Sequence, residues 1–169
     1  MPKNTAETYD QFATEAGRYG VELTEASPEA VPDAIDEAIE QPAVGIPLPW
    51  DGVNLPENVT KDPTSKDIDE AVTGVTAASL AVAEYGSIVL RQDEHGSEPV
   101  SLFNDKHVAV LRKEDIVQDM TQAFEWFGEE FRNTRDSAII ATGPSATADM
   151  GALVQGAHGP KQVEVIVIS

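Results

Sequence analysis

The residues with the clearest chemical potential stand in the segment 142–149, which reads TGPSATAD and directly follows an apolar strand candidate. Ligands of open α/β sheets bind just beyond the carboxyl ends of strands. Gly143 would let the backbone approach a ligand, Ser145 and Thr147 offer hydroxyl donors, and a following helical turn would present free N–H groups to an anion. Asp149 could orient those hydroxyls or cap the turn. The same residues also fit a capped junction that binds nothing.

Glu84 is a second candidate, because it is the one charged residue of the alanine-rich apolar segment 75–87. A carboxylate among apolar neighbours can act as a general acid, a general base or a nucleophile. The alternative is a hairpin turn over residues 84–87 that leaves the Glu84 side chain exposed. The sequence leaves both interpretations open.

His107 and His158 each precede an apolar strand candidate, whereas Ser145 follows one. In a parallel sheet, the two histidines would share one edge, opposite to the edge that holds Ser145. They could form a pair or serve as structural core residues. No recognised ligand motif supplies a third metal ligand, so we expect no metal site. His95 is predicted to be a solvated turn residue.

The elements that must position these residues alternate between strands and helices, which predicts an α/β fold with a mostly parallel sheet flanked by helices. Residues 1–169 are interpreted as one domain, with an irregular loop at 47–67. Helices are predicted over 5–19 and around 28–39, and strands over 21–24, 43–46, 88–90, 107–111, 138–142 and 163–168. A third helix is predicted to open at Lys113 or Asp115 and to bury Phe124, Phe127 and Phe131 against the sheet.

Charge excludes several classes of partner. The chain carries 30 acidic and 11 basic residues, a formal net charge of −19. Such a field repels nucleic acid and anionic membranes, so we expect neither as a partner. The composition is typical of a halophilic protein, in which an acidic solvated shell covers an ordinary core and salt screens the self-repulsion.

The chain contains no cysteine, which excludes disulfides and thiolate-ligated iron–sulfur clusters in this chain. The first eleven residues lack an apolar run, and no segment approaches the roughly 20 apolar residues of a membrane span. We therefore expect a cytoplasmic protein without membrane insertion.

Four segments together resemble the LUD domain, the lactate-utilisation family. Residues 75–90 are similar to its ITGAD…AIAETGTLVL segment, and 107–117 to HIAVV…EKIV. Residues 143–149 are similar to GPSRTADIE, and 156–168 to GVHGPRELHVILL. The four segments occur in family order within residues 70–169. This resemblance implies a fold like that of NagB, RpiA and CoA transferases.

The resemblance also implies a function. Family members act with iron–sulfur partner subunits in oxidising lactate to pyruvate, and this chain would be the cluster-free component, with no cofactor of its own. We expect it to bind a small organic anion in one pocket between the 142–149 segment and the Glu84 segment. The expected ligand-binding residues are Thr76, Gly86, Ser87, Gly143, Pro144, Ser145, Thr147 and Asp149.

A second interpretation is a free-standing CoA-transferase-like or isomerase-like enzyme that acts on a small anionic substrate. Glu84 would then be the nucleophile or general base, and Ser145 would help hold an oxyanion. One departure from the family weakens any shared site: the basic residue that follows Gly-Pro-Ser is Ala146 here.

Overall fold

The computed structural model describes residues 5–149, 152–156 and 158–169. The described residues contain five α-helices: Thr5–Arg18 (α1), Val31–Ala38 (α2), Ser65–Glu70 (α3), Ser97–Leu102 (α4) and Met120–Asn133 (α5). Their first six strands are Glu22–Ala26 (β1), Ala43–Gly45 (β2), Val59–Lys61 (β3), Thr73–Ala77 (β4), Leu80–Val82 (β5) and Ser87–Arg91 (β6). The other six are Lys106–Arg112 (β7), Ile116–Val117 (β8), Ala138–Ala141 (β9), Ala146–Asp149 (β10), Ala152–Gln155 (β11) and Gln162–Ile168 (β12).

The main sheet has six strands in the order β1-β12-β7-β4-β2-β3, and every neighbouring pair is parallel. Its central strands β7 and β12 are almost continuously apolar, as expected where both faces of a parallel sheet are covered. The predicted α/β fold with a mostly parallel sheet flanked by helices is confirmed.

Two hydrophobic layers cover the main sheet. On one face, α2 buries Val31 and Ile35 against a cluster that includes Val108 and Ile166. On the other face, α1 buries Phe12 in a cluster that joins the main sheet to β5 and β6. The cavity described below lies within this second layer.

The second sheet has the order β8-β5-β6-β9, and β10 and β11 form a separate antiparallel hairpin. The strand predicted over 138–142 exists as β9, but its burial was wrong. It pairs antiparallel with β6, away from the parallel sheet, and Ile140 is 42% exposed. The reason is that β9 forms the outer edge of the small second sheet.

The third predicted helix begins later than expected, because Asp119 caps it: the Asp119 side chain accepts a hydrogen bond from the Gln122 N–H at 3.0 Å. Residues 113–115 form a 3-10 turn, and Ile116 belongs to β8. The predicted burial of the phenylalanine stripe holds only in part: Phe127 is half-buried against a hydrophobic cluster of the second sheet. Phe124 is 65% exposed, and α5 buries Ala123 instead.

Two further segments are more regular than predicted. The expected loop over 47–67 contains β3 and the start of α3, where Thr64 and Asp67 form a reciprocal capping box. The alanine-rich segment before residue 88 contributes two extra strands, β4 and β5. Within the described ranges, no helix combines the length and the apolar character that crossing a membrane requires.

Candidate functional site

A cavity of about 460 Å³ lies between the main sheet and the second sheet. Six parts of the chain enclose it: the end of α1 with the residues that follow it, the strand β6, the end of α4, the start of β7, the segment 141–146 and the segment 158–165. Its lining includes Tyr19, Gly86, Ile88, Leu90, Ser101, His107, Ala141, Thr142, Gly143, Pro144, Ser145, Ala146, His158, Pro160, Val163 and Val165.

His107 is deeply buried in this lining, with 2% of its surface exposed, as is Ser101 with 1%. Its Nε2 lies 2.8 Å from the Thr76 hydroxyl on the neighbouring strand β4. Burial lowers the pKa of His107 to about 4, so the imidazole is neutral near pH 7. A neutral imidazole has one donor and one acceptor nitrogen, and the Thr76 contact occupies Nε2.

The segment 142–146 is held in place by backbone contacts. The Ser145 N–H donates to the Pro160 carbonyl at 2.9 Å, and the Ser145 carbonyl accepts from the Gly156 N–H at 2.8 Å. Gly143 has a positive φ of 67°, and a Cβ there would lie 2.6 Å from the Tyr19 Cβ. This segment therefore requires glycine where it passes over the end of α1.

A hydroxyl pair links the two segments that were predicted to share a pocket. Ser87 Oγ lies 2.6 Å from Thr142 Oγ1, and Gly86 lines the same cavity as Gly143 and Ser145. The structure therefore brings the turn between β5 and β6 close to the 142–146 segment.

The structure places this cavity at the other edge of the sheet from the one predicted. His107 and Val163, at the amino-terminal ends of β7 and β12, line it together with Ser145. The predicted separation of Ser145 from His107 and His158 was wrong, because β9 pairs with β6 in the second sheet and does not belong to the parallel sheet. A strand, β10, takes the place of the predicted helical turn.

Other predicted residues fall in different surroundings. Glu84 is exposed in the turn between β5 and β6 and is not among the described residues that line the cavity. Thr76 and Ser87 contact residues that line the cavity: Thr76 lies within hydrogen-bonding distance of His107, and Ser87 within hydrogen-bonding distance of Thr142. Thr147 and Asp149 lie in β10, but their side chains fall outside what the structure describes.

Sequence reasoning missed Tyr19 and Ser101, which line the cavity from the ends of α1 and α4. The close approach of α4 depends on Gly74, where a Cβ would lie 2.0 Å from the Val100 carbonyl oxygen. The glycine in β4 was the available signal for this contact, because glycine within a strand often marks a close backbone approach.

No Lys, Arg, Asp or Glu side chain belongs to the cavity lining that the structure describes. Two lysines lie in an adjacent cleft, but both are paired: Lys106 with Glu164 at 3.3 Å, and Lys161 with Asp105 at 3.2 Å. Over the described ranges, no cluster of three or more His, Asp or Glu side chains is arranged to hold a metal ion.

The fold and these segments define a known class: the chain belongs to the LUD domain family, whose model matches residues 14–168. The chain is 32% identical over 176 aligned positions to "Lactate utilization protein C" of Deinococcus radiodurans, an alignment that covers 99% of this chain and 82% of that protein. It is 34% identical to the proteins of the same name from Bacillus velezensis and Bacillus subtilis. Those alignments cover 77% and 76% of this chain and 54% and 53% of the relatives.

The fold is similar to a solved structure. A DUF162 family protein from Deinococcus radiodurans superposes with a TM-score of 0.76 at 26% sequence identity, covering 99% of this chain and 100% of that one. The chain spans about half the length of the two Bacillus relatives.

Proposed function

We propose that this protein is a LutC-like component of a lactate utilisation system, which oxidises lactate to pyruvate together with iron–sulfur partner subunits. The observation that carries this proposal is the similarity to a lactate utilization protein C along 99% of the chain. Because the chain has no cysteine, thiolate-bound clusters would belong to the partner subunits.

Deleting the gene from its host tests this role. We expect the deletion strain to lose growth on lactate as the sole carbon source and to keep normal growth on pyruvate, because pyruvate enters metabolism after the oxidation step. A plasmid copy of the gene should restore growth on lactate. Equal growth of the deletion and parent strains on lactate would contradict the proposal.

We further propose that a small organic anion binds at the mouth of the cavity. Two described features support this location: Ser145 is half-buried in the lining, and His158, which lines the same cavity, is exposed. A hydroxyl and an imidazole N–H can donate hydrogen bonds to an anion without a lysine or arginine. In a chain with a net charge of −19, such a local group of donors would oppose the general repulsion of anions.

Replacing Ala146 by arginine should tighten anion binding at this mouth. Ala146 lines the cavity and is exposed, so an arginine there could pair with the anion while it remains hydrated. A charge-assisted hydrogen bond at a partly exposed site is worth about 1–2 kcal/mol, a gain of roughly five- to thirtyfold in the affinity for lactate or pyruvate. Calorimetric titration of the wild-type and A146R proteins measures the difference.

Thr121→Arg is the matched control, because Thr121 is exposed on α5 and lies outside the described cavity lining. This variant changes the net charge by the same amount. Equal gains in A146R and T121R would show that the effect is general electrostatics and would contradict a site at the mouth.

A further inference from the structure

The cavity changes character from its mouth to its interior. At the mouth, Thr142, Ala146 and His158 are exposed, and Ser145 is half-buried. The interior lies between β6 of the second sheet and β12 of the main sheet. Its side chains are Ile88, Leu90, Val163 and Val165, all of which are 6% exposed or less. A ligand that fills the cavity therefore meets polar groups at one end and aliphatic groups at the other.

His107 lies between these two regions. The strand register aligns His107 with Val163, whereas Val165 lies two residues deeper and is aligned with Ala109. Thr76 contacts Nε2, which leaves Nδ1 of the ring for a ligand. Ser101, at the end of α4, also lines the cavity, and its hydroxyl donates to the Glu98 carbonyl at 2.7 Å.

We propose that the cavity binds a 2-hydroxy or 2-oxo monocarboxylate whose apolar side chain is larger than the methyl group of lactate. The carboxylate lies at the mouth near Ser145 and His158, the oxygen on carbon 2 faces His107, and the side chain occupies the space between Leu90 and Val165. This inference rests on the anion site proposed above and adds the class of ligand.

Size and charge both lead to this class. A volume of about 460 Å³ falls within the range of sites that enclose drug-sized ligands, far more than a methyl side chain requires. The described lining of the interior holds no cation, and burying an unpaired carboxylate there would be very costly. The charge therefore stays at the hydrated mouth, and the apolar part of the ligand fills the interior.

His107 suits both oxidation states at carbon 2. A neutral imidazole nitrogen is a donor in one tautomer and an acceptor in the other. It can donate to the carbonyl oxygen of a 2-oxo acid or accept from the hydroxyl group of a 2-hydroxy acid. The same site can therefore hold both members of such a redox pair.

A homologous series of acids tests the inference. Calorimetric titration of the full chain with lactate, 2-hydroxybutanoate, 2-hydroxyhexanoate and 3-phenyllactate should show affinity rising about fourfold for each methylene group that becomes buried. The neutral compound 2-hydroxyhexanamide should bind more weakly than the corresponding acid. An amide that binds as tightly as the acid would overturn the assignment of a carboxylate at the mouth.

Variants in β9 locate the side-chain site. Ala141 lines the cavity, so Ala141→Phe should fill the interior and remove the gain with chain length. Ile140→Phe is the matched control, because Ile140 precedes Ala141 on the opposite face of the same strand and is 42% exposed. Ala141→Val narrows the cavity less and replaces the phenylalanine variant if that variant unfolds.

The outcomes separate this inference from the proposed function. Lactate binding whose affinity does not change along the series would overturn the larger side chain and leave the anion site intact. Failure of every acid to bind would overturn both the anion site and this inference, whereas the growth phenotype on lactate would still test the role in lactate utilisation. Loss of the length dependence in both A141F and I140F would also overturn the assigned side-chain site.

Discussion

Replacing Gly86 by alanine is expected to destabilise the protein severely. Gly86 has a positive φ of 63°, which costs a residue with a Cβ about 1–3 kcal/mol. The added Cβ would also lie 2.3 Å from the backbone nitrogen of Ala16 and 2.7 Å from its Cα. Because these are backbone atoms within α1, the overlap can be relieved only by moving the helix, and overpacking of this kind costs a further 1–3 kcal/mol or so.

The combined loss of about 2–6 kcal/mol is a large part of the 5–15 kcal/mol by which native proteins are typically stable. Urea unfolding of the G86A variant, followed by circular dichroism, measures it as a shift of the midpoint. The physical basis is the contact between the β5–β6 hairpin and α1, so the variant should also loosen the wall of the cavity that Gly86 lines.

Gly17→Ala provides the matched control, because Gly17 lies in the same helix and a Cβ there would meet no heavy atom within 4 Å. Alanine has the higher helix propensity, so this variant should be stabilised by about 0.5–1 kcal/mol. A G86A protein as stable as the wild type would show that α1 does not rest on this hairpin.

The buried imidazole of His107 should make stability fall as the pH decreases from about 6.5 to about 4. Burial lowers the pKa of His107 to about 4 in the folded protein, below the ordinary value of 6.5 that applies to the unfolded chain. Between these two values the unfolded chain binds more protons, so acid favours unfolding. The contribution is fully present above pH 6.5 and is lost as the pH falls through the folded value.

The expected loss over this interval is about 3 kcal/mol, from about 1.4 kcal/mol for each unit of difference in pKa. The free energy of unfolding of the wild-type and His107→Gln proteins, measured from pH 7.5 to 4.5, isolates it as a difference in slope. Carboxylates that titrate in the same interval contribute equally to both proteins and cancel.

Parallel pH profiles for the wild-type and H107Q proteins would contradict a buried neutral imidazole at position 107. They would also remove the basis for a neutral hydrogen-bonding group inside the cavity.

The main elements of the fold follow from local patterns in the sequence. The apolar strands 107–111 and 163–168 and the first helix over 5–19 were predicted close to their observed bounds. Nearly continuous apolar residues are typical of strands whose two faces are both covered, so these segments indicate a buried sheet by themselves. The family follows as well, because its segments are read directly from the residue order.

The position of α5 shows the limit of periodicity. The spacing of Phe124, Phe127 and Phe131 fits one helical face, yet Phe124 is 65% exposed, and the helix packs through Ala123 and Phe127. Periodicity identifies which residues share a face. It does not identify which part of the protein that face packs against, and here the helix packs against Leu80 and Val82 of the second sheet.

The sequence by itself determined the α/β class, the family and the segments that form the candidate site. Only the tertiary structure decided that Ser145, His107 and His158 line one cavity. Their meeting depends on β9 joining β6 in a second antiparallel sheet, which turns the 142–146 segment toward the amino-terminal ends of β7 and β12. Strand direction and sheet membership depend on pairing between residues that are distant in the sequence. A local sequence pattern does not indicate which strand is the partner.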